Sequence, residues 1–150
     1  MKTLQLLSIG ALMSCAAVLT GCGDDGGDGG AGMNGGACLP ALELDCTPRY
    51  PPTFDNIYGR LIGDTCAVST CHGPGGNAGN LTFGDADAVY ATLLNERRAE
   101  RLVVPGDPEC SLLMKRLESA DINFVMPPRS QLTPNERCAI RQWIAQGAER

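Results

Sequence analysis

Apolar residues recur at helical spacing in four places along this chain. Phe54, Ile57, Tyr58, Leu61 and Ile62 share one face of a helix that Thr53 caps and Gly63 stops. Val89, Tyr90, Leu93 and Leu94 mark a second helix, opened by Asp85 or Asp87. Leu112, Leu113 and Leu117 mark a third, with Asp107 as N-cap, Pro108 at the first helical position and Glu109 favourable to the dipole. Ile140, Trp143 and Ile144 mark a fourth, entered through Thr133-Pro134-Asn135-Glu136, a capping box with proline inside it, and left at Gly147. No segment alternates with the period of two that a strand needs, and the glycine-rich run 73–80 reads as loop. The predicted fold class is all-α: about four short helices joined by long Gly/Pro-rich loops. The domain spans 37–150, with its core at about 52–148. So few helices bury a modest core, and a domain of this size usually has help from disulfides or a large apolar cofactor.

The residues before it belong to no core. Lys2 precedes an apolar run that closes on small residues, which reads as a secretory signal peptide over 1–21 and is too short for a lasting membrane span. Its end, Leu19-Thr20-Gly21-Cys22, resembles the bacterial lipobox, in which the cysteine becomes the lipidated first residue of the mature protein. Leu12-Met13-Ser14-Cys15 is a weaker match, and an ordinary signal cut elsewhere would leave Cys22 a free thiol. Residues 22–36, nearly all glycine and aspartate after Cys22, read as a flexible tether and lack the spacing of a calcium loop. The expectation is an exported lipoprotein of a bacterial cell envelope, periplasm-facing or at the cell surface, held to the membrane through Cys22.

Charge narrows the partners. The net charge is −5, and loss of the signal removes Lys2 and makes it −6. No basic surface for nucleic acid is present. An acidic surface is compatible with a basic redox partner protein.

The chain has eight cysteines. Cys15 leaves with the signal and Cys22 is the lipid site, so six remain in a small exported domain, where disulfides persist. Two of these, Cys66 and Cys71, bracket Ala67-Val68-Ser69-Thr70 and precede His72, the only histidine. Covalent haem attachment needs two thiols and an adjacent imidazole, ordinarily spaced Cys-x-x-Cys-His. Here the gap is four residues, a CxxxxCH variant, and a Cys66–Cys71 disulfide would fit the same spacing. Cys38, Cys46, Cys110 and Cys138 are then left, with three possible pairings. The expected arrangement is Cys38–Cys46, which closes a short loop, with Cys110–Cys138, which ties the starts of two predicted helices. A sulfur ligand opposite the histidine is offered by Met126, stiffened by Pro127-Pro128. Met114 lies mid-helix and reads as core; Met33 lies in the tether.

The order of these pieces resembles that of small class I-like bacterial c-type cytochrome domains. It rests on Cys71-His72-Gly73 after an amphipathic helix, on Val104-Pro105-Gly106-Asp107-Pro108-Glu109 with Ser111-Leu112-Leu113, on Met126-Pro127-Pro128, and on Leu132-Thr133 with Glu136 followed by Trp143-Ile144-Ala145-Gln146-Gly147-Ala148. The resemblance implies His72 and Met126 as axial ligands, one covalent haem c per chain on Cys66 and Cys71, and first and last helices packed together. Phe124, Val125, Leu81, Phe83 and Trp143 are candidate pocket walls, and Arg129 a candidate propionate partner or a solvated arginine. With both axial positions filled, the expected role is single-electron carriage rather than catalysis. The alternative is a haem-free lipoprotein of the same fold, disulfide-bonded at Cys66–Cys71, with a structural or binding role. Thiol–disulfide exchange is disfavoured by the absence of a βαβ pattern, and structural zinc by the lack of four good ligands.

Overall fold

The computed structural model describes residues 36–150. The signal segment, Cys22 and all of the tether except Gly36 lie outside the described residues. Every regular element described is helical. No helix among the described residues is long and apolar enough to cross a membrane.

Helix α1, Phe54–Ile57, is capped by Thr53, whose hydroxyl accepts the Asn56 N–H, and it runs on without a break into a wider, π-wound stretch, Tyr58–Cys66. The wider winding is visible where the Ala67 N–H reaches back five residues to the Ile62 carbonyl at 2.8 Å. The sequence expectation that Gly63 stops this helix is therefore corrected: the chain passes Gly63 and ends the helix at Cys66. Beyond Gly63 the half-buried Cys66 packs against the core, which gives the helix a reason to continue. Helix α2, Ala86–Ala91, has Asp85 as its N-cap and also widens, over Thr92–Glu96.

Helix α3, Leu112–Glu118, starts later than its sequence suggests. Asp107 does accept a capping bond, from the Cys110 N–H at 3.0 Å, but it caps a single turn that precedes the helix. Ser111 separates the two. Its fully buried hydroxyl donates to the Asp107 carbonyl at 2.8 Å and accepts the Val104 N–H at 2.9 Å, and its backbone is extended. A serine that bonds the local backbone this way competes with helix continuation.

Helix α4, Pro134–Ala145, carries the expected capping box between Thr133 and Glu136. It closes with the Ala148 N–H on the Trp143 carbonyl and the Gly147 N–H on the Ile144 carbonyl, with Gly147 at φ +104°. That pair of bonds is the Schellman arrangement, which needs a left-handed residue and favours glycine. The first and last helices meet as expected: the Phe54 and Trp143 rings lie 5.6 Å apart, and Tyr90 of α2 meets Phe54 edge-on at 5.0 Å. Ile57, Val89, Met114 and Ile144 fill the same core.

The segment 37–50 is an arm laid across α4 and the 107–110 turn. The Leu39 N–H donates to the Glu109 carbonyl, the Leu42 N–H to the Glu109 carboxylate, and Gln142 Nε2 to the carbonyls of Leu44 and Cys46. This path corrects the expected disulfides. Cys38–Cys46 and Cys110–Cys138 do not form; Cys38 bonds Cys110 and Cys46 bonds Cys138. The arm does not fold back on itself, so its two cysteines face different parts of the body. Each bond closes a long loop, of sequence separation 72 and 92.

Candidate functional site

One cavity, of about 290 Å³, collects the residues that the sequence singled out. Cys66, Cys71, His72 and Met126 all line it, although Met126 lies far from the other three in sequence. The remaining wall is mainly aliphatic and aromatic, with Leu81, Phe83, Leu102 and Leu117 among its members. Its volume sits at the lower edge of the range for small-molecule and cofactor sites, about 300–1,000 Å³.

Cys66 comes from the end of the π-wound stretch, and such windings often occur at functional sites. The four residues after it form a tight turn: the Val68 carbonyl accepts both the Cys71 N–H at 2.9 Å and the Gly73 N–H at 2.8 Å. The His72 N–H then returns to the Cys66 carbonyl at 3.1 Å, closing the segment into a ring of backbone bonds. Ser69 and Thr70 in the longer gap are exposed, and Thr70 also borders the cavity mouth beside Cys71. Glycines after His72 are required by close approach. A Cβ on Gly73 would collide with the Ala67 carbonyl, and one on Gly76 with the carbonyls of Cys71 and Ser69. The glycine-rich run is thus a lid packed onto the backbone of the CxxxxCH segment.

His72 is fixed on three sides by the segment 81–83. Its carbonyl accepts the Phe83 N–H, its ring lies 5.1 Å from the Phe83 ring, and its Nδ1 is 3.3 Å from the Leu81 carbonyl. A carbonyl can only accept, so this contact places the proton on Nδ1 and leaves the Nε2 lone pair available to a metal.

Met126 is positioned by α3. Its N–H donates to the Arg116 carbonyl at 3.0 Å, and its peptide bond to Pro127 is cis. Upstream, the Asp121 carbonyl accepts the N–H groups of Phe124 and Val125. Met114 is fully buried core, as its place in a helix implied.

Cys66 and Cys71 are both unbonded and half-buried, so the disulfide that the haem-free alternative needs does not form. Burial pushes the Cys66 thiol up to about 11, with the neighbouring Cys71 adding to the effect. A thiol held protonated in an apolar wall is a poor exchange nucleophile, which argues against disulfide-exchange chemistry here. Among the described residues no group of three or more His, Cys, Asp or Glu side chains is arranged to hold a metal ion. The donor set of the cavity is instead two thiols, one imidazole and one thioether within apolar walls. That set and that lining fit a covalently attached haem.

The walls differ in part from expectation. Leu81 and Phe83 line the cavity, but Phe124, Val125 and Trp143 do not. Trp143 packs beside Phe54 instead, and its Nε1 donates to the Glu149 carbonyl at 2.7 Å. Arg129 is exposed and does not line the cavity. Glu100 and Arg116 do, and sequence reasoning missed both. The spacing of Arg116 one residue before Leu117, on the apolar side of α3, was the available signal.

The family model described as Planctomycete cytochrome C matches residues 69–130. The match covers less than half of the chain; it includes Cys71, His72 and Met126 and begins after Cys66. It supports a cytochrome c-like domain, in agreement with the all-helical fold, and is consistent with an electron carrier rather than a catalyst. No curated protein and no solved structure matches significantly.

Proposed function

We propose that this protein is a monohaem c-type cytochrome that carries single electrons, anchored to a bacterial envelope membrane by lipid at Cys22. The observation that carries the proposal is the convergence of Cys66, Cys71, His72 and Met126 on one apolar cavity, with Cys66 and Cys71 the two described cysteines left out of disulfides. Haem bound there would supply a one-electron iron couple. The two thiols are the attachment points. His72 offers Nε2, its other nitrogen engaged by Leu81, and Met126 offers its sulfur. The leucine and phenylalanine walls exclude water, which tunes the potential of a bound iron. The disulfide-stapled body also suits the haem-free alternative, but nothing bonds Cys66 to Cys71.

A redox partner protein and an envelope location complete the proposal. Expression of the full chain in a host with haem-attachment machinery tests it. The expected result is α and β absorption bands in the reduced protein and an intact mass increased by one haem. Absence of both would sink the cytochrome reading. Cys22→Ala is expected to release the protein from the membrane fraction, and its retention there would remove the lipid anchor from the proposal.

A further inference from the structure

Two charged side chains reach the otherwise apolar cavity, Glu100 and Arg116. Glu100 is paired with Arg97 at 2.5 Å. Arg116 is engaged in another way. Its Nη1 donates to the Phe124 carbonyl at 3.1 Å, its guanidinium lies 3.9 Å over the Phe124 ring, and its own carbonyl accepts the Met126 N–H at 3.0 Å. One residue of α3 therefore grips the segment 124–126 at a carbonyl, at a ring and at a backbone N–H. No regular element spans this part of the chain.

We infer that Arg116 is the positioning residue for Met126, fixing the height of its sulfur over the cavity through Phe124. The inference rests on the reading of Met126 as a ligand. Geometry assigns the task to a guanidinium in particular. A planar fork can lie flat on a ring and donate in its own plane at once, whereas a lysine ammonium supplies charge without the plane. The backbone bond from Met126 alone fixes the start of the Pro127-Pro128 stretch; the side-chain contacts fix the residue two positions earlier. Between them only Val125 is left to turn, and it is buried. Loss of the side-chain grip frees the approach to Met126 while leaving α3 intact.

The test compares Arg116→Lys, which keeps the charge, with Arg116→Gln, which does not. Both are made in the full chain, purified in the haem state that the wild type adopts. Methionine 13C-methyl spectra report Met126 directly, and Met114, buried in the same helix, is the internal control. The expected result is a shifted or broadened Met126 methyl in both variants with Met114 unchanged. An unchanged Met126 methyl in both variants would overturn the inference. Equal disturbance of both methyls would also overturn it, because Arg116 would then merely hold α3 together. An effect of Gln without one of Lys would make the residue a charge and not a positioning device, and the inference would fail. In haem-loaded protein both variants are expected to weaken the sulfur-to-iron charge-transfer band and lower the reduction potential; an unaltered band overturns the inference. A wild type without haem bands defeats the cytochrome reading separately, and the methyl spectra still decide the role of Arg116.

Discussion

One buried apolar cluster runs through the described domain, and the chain treats two regions of it differently. Around Phe54, Trp143 and Ile144 the side chains of α1, α2 and α4 close on one another in direct ring-to-ring contact. Around Cys66, His72 and Met126 a comparable set of leucines and a phenylalanine surrounds a hollow of about 290 Å³. Protein interiors normally pack to crystal density, so an apolar hollow kept open is a place held for something else. The first space holds the fold, and the second is where the proposed function is placed.

The largest effects are therefore expected in the filled space. Trp143→Ala removes a buried ring that touches Phe54, and such truncations cost about 3–5 kcal/mol. Denaturant unfolding of the purified chain is expected to show a loss of that size. Met126→Ala makes the contrast. Its side chain is only half-buried and lines the hollow, so the expected loss is smaller than that of Trp143→Ala. In haem-loaded protein the same variant should abolish the sulfur-to-iron charge-transfer band near the red edge. Persistence of the band would show that another group is the distal ligand.

Next in size are the staples. Replacing Cys46 and Cys138 together by serine opens a loop of 92 residues in sequence separation, and removal of a native disulfide from a small exported domain typically costs about 2–5 kcal/mol. The bond joins the arm to α4 and does not touch the cavity. Melting should move, while the absorption bands of folded protein should not; altered bands would mean that the two spaces are coupled.

A fourth variant inverts the usual core rule. Overpacking a filled core destabilises, but Leu113→Phe adds volume to the hollow. Cavity filling of this kind commonly adds about 0.5–2 kcal/mol. The chain expressed without haem is expected to melt higher and to take up less haem when the attachment machinery is supplied. A lower melting point would mean that the hollow is already filled by its own side chains.

The two spaces were also unequally legible. The filled one was written in helical periodicity and caps: Phe54, Ile57, Val89, Ile140 and Trp143 fall where their spacing puts them, and Thr133 with Glu136 announces α4. At the hollow, Cys66, Cys71, His72 and Met126 could be singled out because their chemistry is rare, and all four line it. Charged wall residues were harder to see: Glu100 looks in sequence like any solvated carboxylate, and Arg116 is marked only by its place on the apolar side of α3. The π winding that delivers Cys66 leaves no mark either, because backbone bond register is invisible in a side-chain pattern and Gly63 reads as a stop. The disulfide partners depended on the path of an arm with no periodicity, which only packing against α4 decides.

The smallest expected effect is a pH limb that belongs to one space alone. Burial on its own would raise the Glu136 carboxyl, but the Thr133 hydroxyl and N–H donate to it, Arg49 lies 3.1 Å away, and the balance leaves it below the usual carboxylate range. A carboxyl lowered in the folded state stabilises above its unfolded value, about 4.3, and that contribution is lost as pH falls through the folded value. Glu136→Gln keeps an acceptor for Thr133 but loses the charge toward Arg49. Arg49 is 60 % exposed, so screening limits the loss to about 0.2–1 kcal/mol near neutrality. Stability measured from neutral pH down through the acid range should converge for wild type and variant at the acid end. Glu136 sits at the start of α4 and outside the cavity wall, so haem bands should titrate identically in both proteins. A shift of the bands with the variant would mean that the charge of the filled space reaches the hollow one, and the separation between them would have to be abandoned.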